Sequence, residues 1–170
     1  MLQERGQLDE ALRIRTEEQL PVFEDLGDVR SQAITQSKIA DILQERGQLD
    51  EALRIRTEEQ LPVFEDLGDV RSQAITQSKI ADILQERGQL DEALRIRTEE
   101  QLPIFEQLGD AHSLAVTQGE IADTLQERGQ LDEALRLYEQ EVLPGFEALK
   151  LPAESDRART RIRELRARLG

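Results

Sequence analysis

Cysteine is absent from this 170-residue chain, so neither a disulfide framework nor a thiolate metal site can be built. Tryptophan and asparagine are missing as well, and aromatic residues amount to four Phe and one Tyr. No apolar run approaches the roughly 18 residues that cross a bilayer, and the opening MLQERGQLDE lacks the layout of a signal peptide. The expected setting is the cytoplasm, with no membrane contact. No G-x-x-x-x-G-K-[ST] occurs, which excludes a P-loop. The single histidine, His112, takes the place of Arg30 and Arg71 in the first turn of a helix and reads as a surface substitution. Carboxylates are abundant, but nothing marks two of them as acid and base, and no calcium-loop spacing is present. Neither enzyme, metal nor cofactor is expected.

Basic residues are scarce everywhere except at the end. The net charge is −14, yet residues 151–170 carry six arginines against Glu154, Asp156 and Glu164, a local +3. The remainder therefore holds −17. So acidic a body repels phosphate backbones and argues against nucleic acid as partner.

What is there is repetition. ERGQLDEALR occurs at Glu4, Glu45, Glu86 and Glu127, always 41 residues apart. Residues 2–42 and 43–83 match at all 41 positions. Residues 84–124 differ from them at nine: Ile104, Gln107, Ala111, His112, Leu114, Val116, Gly119, Glu120 and Thr124. A fourth unit starts at Leu125 and drifts after Leu135. A fixed period of this length signals stacked supersecondary units rather than one unequal catalytic cluster.

Each unit reads as two antiparallel helices. From Gly68 to Gly88, Asp69 is placed to cap a helix whose stripe is Ala74, Ile75, Ile80, Ala81, Ile83 and Leu84. In the next helix Asp50 is the expected cap. There Leu49, Leu53, Leu61, Phe64 and Leu67 mark the buried side, and Glu58, Glu59 and Glu65 face water. Pro21, Pro62, Pro103 and Pro144 fall late in every second helix. Each either kinks that helix or breaks it, becoming the first residue of a new one.

The run IADILQERGQLDEAL, with Ala40, the turn at Gly47, then Leu49, Ala52 and Leu53, resembles the tetratricopeptide-like repeat family in its long form of about 42 residues. The resemblance implies an all-α, right-handed superhelical solenoid of antiparallel helix pairs. It departs from the family at Arg15, Arg56 and Arg97, where an aromatic is usual and only the fourth unit carries one, Tyr138. Residues 1–150 are the expected repeat domain and 151–170 a terminal cap, whose stripe is Ala158, Ile162, Leu165 and Leu169. Because MLQERG reads as the tail of a first helix, unit one is expected to hold only its second helix, from about Asp9 to Leu26, with an uncovered flank at Leu12 and Leu20. Eight helices result.

In that family the first helix of each pair lines a concave surface where ligands lie. Carried over by position, the implied site is Ser37, Asp41 and Gln44, then Ser78, Asp82 and Gln85, then Asp123 and Gln126. The three aspartates would form a ladder about 10 Å apart, the spacing of packed helices. The function so implied is a protein-interaction scaffold that binds a polar or basic peptide or protein. The alternative is a spacer or self-assembly module, forming a homodimer or larger homo-oligomer through Leu12 and Leu20.

Overall fold

The computed structural model describes residues 2–170, with side chains from residue 6 onward. Among these residues are eight helices and no strand: α1 over 2–26, α2 Val29–Glu45, α3 over 49–66, α4 Val70–Glu86, α5 over 90–108, α6 Ala111–Glu127, α7 over 131–148 and α8 Pro152–Leu169. They gather into two compact units, one ending at Ile83 and one beginning at Leu84.

In the first unit α2 and α3 meet where both helices are small: Ala40 and Ala52 are fully buried, and Ile39, Leu43, Ile55 and Ile83 close around them. The second unit repeats this with Ala122 of α6 and Ala134 of α7, extended by Val142, Phe146 and the α8 residues Ala158, Ile162 and Leu165. Glycine closes the α2 helix: Gly47 adopts φ +75°, and the Gly47 and Gln48 amides donate to Gln44 and Leu43 carbonyls at 2.8 Å. Asp28, Asp69 and Asp110 cap the N-termini of α2, α4 and α6, accepting the amides of Ser31, Ser72 and Ser113 at 3.0–3.1 Å.

Each second helix is α at both ends and π in the middle. In α3 the π segment is Ile55–Gln60, and the Leu61 amide donates five residues back, to Arg56. The widened turn absorbs one extra residue, so Pro62 arrives in the first positions of the renewed α segment, where its missing N–H costs little. Backbone angles at Gln60 and Leu61 stay right-handed helical. The helix therefore neither ends nor restarts at the proline.

Several expectations are corrected. Leu67, Ile75 and Leu169 are 43%, 49% and 40% exposed, on the solvent side of their helices. Asp50 lies in the first turn of α3, but the cap position belongs to Gln48 and no side chain closes it. Glu59 is half-buried and accepts the Gln36 amide at 2.8 Å. MLQERG is not a separate tail: helix runs from Leu2 through Gly6, so the phrase that turns at Gly47 is helix interior in its first copy.

Candidate partner-binding groove

The π turn of α3 sets Arg56 at zero exposure, and its Nη2 donates to the Asp41 carboxylate of α2 at 2.6 Å, with Gln60 at 3.5 Å. A buried guanidinium needs such partners, since a desolvated charge without them is costly. Arg97 is equivalent and equally hidden. It donates to Gln85 at 2.6 Å and Thr124 at 2.7 Å and lies 3.5 Å from Glu120. Thr124 and Glu120 are two of the nine differences of the third unit, standing where the preceding unit has Ile83 and Lys79. Thr124 supplies Arg97 with a hydrogen-bond acceptor and Glu120 with an opposite charge.

In the fourth unit Tyr138 fills the same place, and its hydroxyl donates to Asp123 at 2.8 Å. Burial pushes the phenol well above its usual pKa, and the Asp123 carboxylate adds to the shift. Arg161 of α8 approaches Asp123 to 3.6 Å, and that carboxylate raises the guanidinium's pKa in turn. At Arg97 and Tyr138 this position on the second helix thus meets side chains of the first helices on either side.

Above Tyr138 lies an open cleft of about 390 Å³. Gly119, Glu120 and Asp123 of α6 form one wall, Glu154, Arg157 and Arg161 of α8 the other, with Val142 and Phe146 as an apolar floor and His112 at the edge. The first unit has the corresponding cleft, about 340 Å³, between α1 and α2, where Gln19, Phe23, Thr35 and Lys38 match Val142, Phe146, Ala158 and Arg161.

Residues 72–142 match the family model described as tetratricopeptide repeat. The fold is that of tetratricopeptide-like repeats. The fold is shared with a putative kinesin light chain of Podosopora anserina described as having nearly identical TPR-like repeats, at 21% identity and TM-score 0.57 over 97% of this chain and 95% of that one. It is shared also with BtubC (BKLC) from P. vanneervenii, at 16% identity and TM-score 0.71 over 98% of this chain and 76% of that one. No curated protein matches in sequence. Repeats of this fold generally serve as protein-interaction scaffolds.

Within the tetratricopeptide-like frame, the expected site residues divide. Asp123 lines the cleft, as does Gly119, which replaces Ser37 and Ser78. Ser37, Ser78 and Gln126 are half-buried, and Gln126 lies outside the cleft. Asp41 is taken up by Arg56, and Gln85 is held by Arg97, Thr124 and Glu127. Gln44 and Asp82 are half-buried and engaged by neighbours. The buried residues Arg56, Arg97 and Tyr138 were signalled only by standing at one shared spacing where an aromatic was due. Leu12 and Leu20 are partly buried against the Ile39–Ala40 core, so the exposed apolar residues of α1 are Val22, 51%, and Leu26, 72%. Among the described residues no group of His, Asp or Glu is arranged to hold a metal ion, and no helix is long and apolar enough to cross a membrane.

Proposed function

We propose that the chain is a non-catalytic interaction module that holds a polar, basic segment of a partner polypeptide in the cleft between α6 and α8. The observation that carries this reading is the cleft itself: an apolar floor of Val142 and Phe146 beneath the carboxylates of Glu120, Asp123 and Glu154. Arg161 is already drawn to Asp123, so its charge is largely spent, and a lysine or arginine of a ligand can take its place there. The net −17 of residues 1–150 draws a cationic segment toward the chain.

Fluorescence anisotropy with two labelled peptides tests this, one of alternating Lys and Ser, one of alternating Glu and Ser. The basic peptide is expected to bind, more weakly as salt rises, and Glu154→Lys to weaken it at least about threefold. Equal affinity for both peptides, or indifference to Glu154→Lys, sinks the assignment.

A second reading, self-assembly, is favoured by the exposure of α1, whose residues 8–26 repeat 49–67 identically but are less covered.

A further inference from the structure

Identical residues in different surroundings make an internal control. Ala52, Ile55, Arg56 and Gln60 of α3 are 0%, 6%, 0% and 4% exposed. Their counterparts in α1, Ala11, Ile14 and Arg15, are only half-buried, and Gln19 is exposed. Arg56 grips a carboxylate, Asp41, whereas among the described residues Arg15 reaches its own helix, Gln19 at 3.3 Å. Glu59 receives Gln36, whereas Glu18 is exposed and meets Arg13 at 3.0 Å. One face of α1 thus presents an under-used arginine and an under-used glutamate, one turn apart, with small and medium apolar residues on either side.

That pattern is complementary to itself. Turn a second α1 antiparallel about a point between Arg15 and Glu18, and Arg15 of each copy faces Glu18 of the other. The same operation sets Ala11 opposite Val22, small against larger, and Ile14 opposite Gln19, on both sides. We propose that α1 pairs with α1 of a second copy of this chain in an isologous, antiparallel dimer held by two Arg15–Glu18 contacts. This develops the self-assembly reading and is independent of the cleft.

Head-to-tail growth is disfavoured by the other end. α8 is in register with the first helices of the earlier units, and it keeps the buried face of Ala158, Ile162 and Leu165. Where those helices put Ala40 and Leu43 against their own second helix, α8 has Arg163 and Arg166. Two long charged side chains, one of them Arg166 held to Glu139 of α7 at 2.6 Å, replace the small ones at the closest approach of a helix pair, so α8 offers no seat of the Ala40–Ala52 kind. Association accordingly stops at two copies.

Sedimentation equilibrium of the full chain over a hundredfold concentration range, with circular dichroism as a check on folding, is the test. The expected result is a monomer–dimer equilibrium. Arg15→Glu alone and Glu18→Arg alone should each raise the dissociation constant roughly tenfold or more, and a mixture of the two variants should recover a heterodimer. A second measurement uses the absence of cysteine: Ala11→Cys/Val22→Cys should oxidise to a covalent dimer, while each single cysteine variant stays largely uncrosslinked. A monomer throughout, species larger than two, or mixed variants that fail to pair would each overturn the proposal. Loss of dimer leaves the peptide titration at Glu154 unaffected, so the two readings fail separately.

Discussion

Arg56 sits at zero exposure and donates to Asp41 across 2.6 Å, and Tyr138 meets Asp123 at 2.8 Å from the same place in the fourth unit. A charged and a neutral donor thus do one job, fastening a second helix to the carboxylate of its neighbour.

Truncating that donor leaves a half-exposed aspartate and a large void. Arg56→Ala is expected to lower stability by about 2–3 kcal/mol, below the upper end for fully buried pairs because Asp41 keeps access to water. Arg56→Tyr, which copies Tyr138, should cost less than about 1 kcal/mol. Urea unfolding decides between them. If alanine and tyrosine are equally tolerated, the fastening role is wrong.

Tyr138 is the sole tyrosine, so its ionisation can be followed by ultraviolet absorbance without interference. Burial and Asp123 raise its pKa in the fold. The neutral phenol is the form the fold prefers. Its contribution is therefore complete below the unfolded value of about 10 and is lost as pH climbs toward the higher folded value. Phenolate is expected to appear only together with unfolding. Titration near pH 10 in a protein that is still helical would contradict the burial.

Asp69 shows the opposite sign. The Ser72 amide, its hydroxyl and Arg30 hold this carboxyl below its ordinary pKa. Its stabilisation is present above about pH 4 and disappears as pH falls through the lowered folded value. Asp69→Ala should cost about 1 kcal/mol at neutral pH and flatten the acid limb of the stability curve. An unchanged acid limb would remove the cap from the account.

Glycine supplies a contrast within one repeated phrase. Gly6 lies inside helix α1 with open space around it, so Gly6→Ala should stabilise by about 0.5–1 kcal/mol. Gly47 holds φ +75°, and Gly47→Ala should cost about 1 kcal/mol. Thermal melting of both variants reads the two signs, and a shared sign would refute the claim that neighbours, not the decapeptide, set the turn.

Most of the fold was legible because periodicity is a strong signal: the Asp69 cap and, apart from Leu169, the buried stripe of α8 appear where the spacing put them, and Ala40 and Ala52 are buried as the resemblance implied. Misreadings fell where spacing says nothing about what lies opposite. Ile75 and Leu67 are apolar at helical intervals, yet no element covers them. Gly6 carries a turn signal with no docked helix to fold back against. Asp123, an expected site residue, lies on the cleft wall, whereas the burial of Arg56 and Arg97 was not legible, because arginine in sequence reads as surface and only its acceptors reveal it as interior.

Val29–Glu45 and Val70–Glu86 are the same seventeen residues, and the helices that follow them differ only at Ile104 and Gln107, which stand where α3 has Val63 and Asp66. During refolding each is chemically as good a mate for α3 as the other, so nothing local distinguishes correct from out-of-step docking. The nine differences of the third unit, the drift of the fourth and the unlike α1 and α8 break the tie. Misdocked intermediates that resolve slowly are the natural result of such redundancy. A chain with one copy rewritten at its surface should reach the native state by a simpler route.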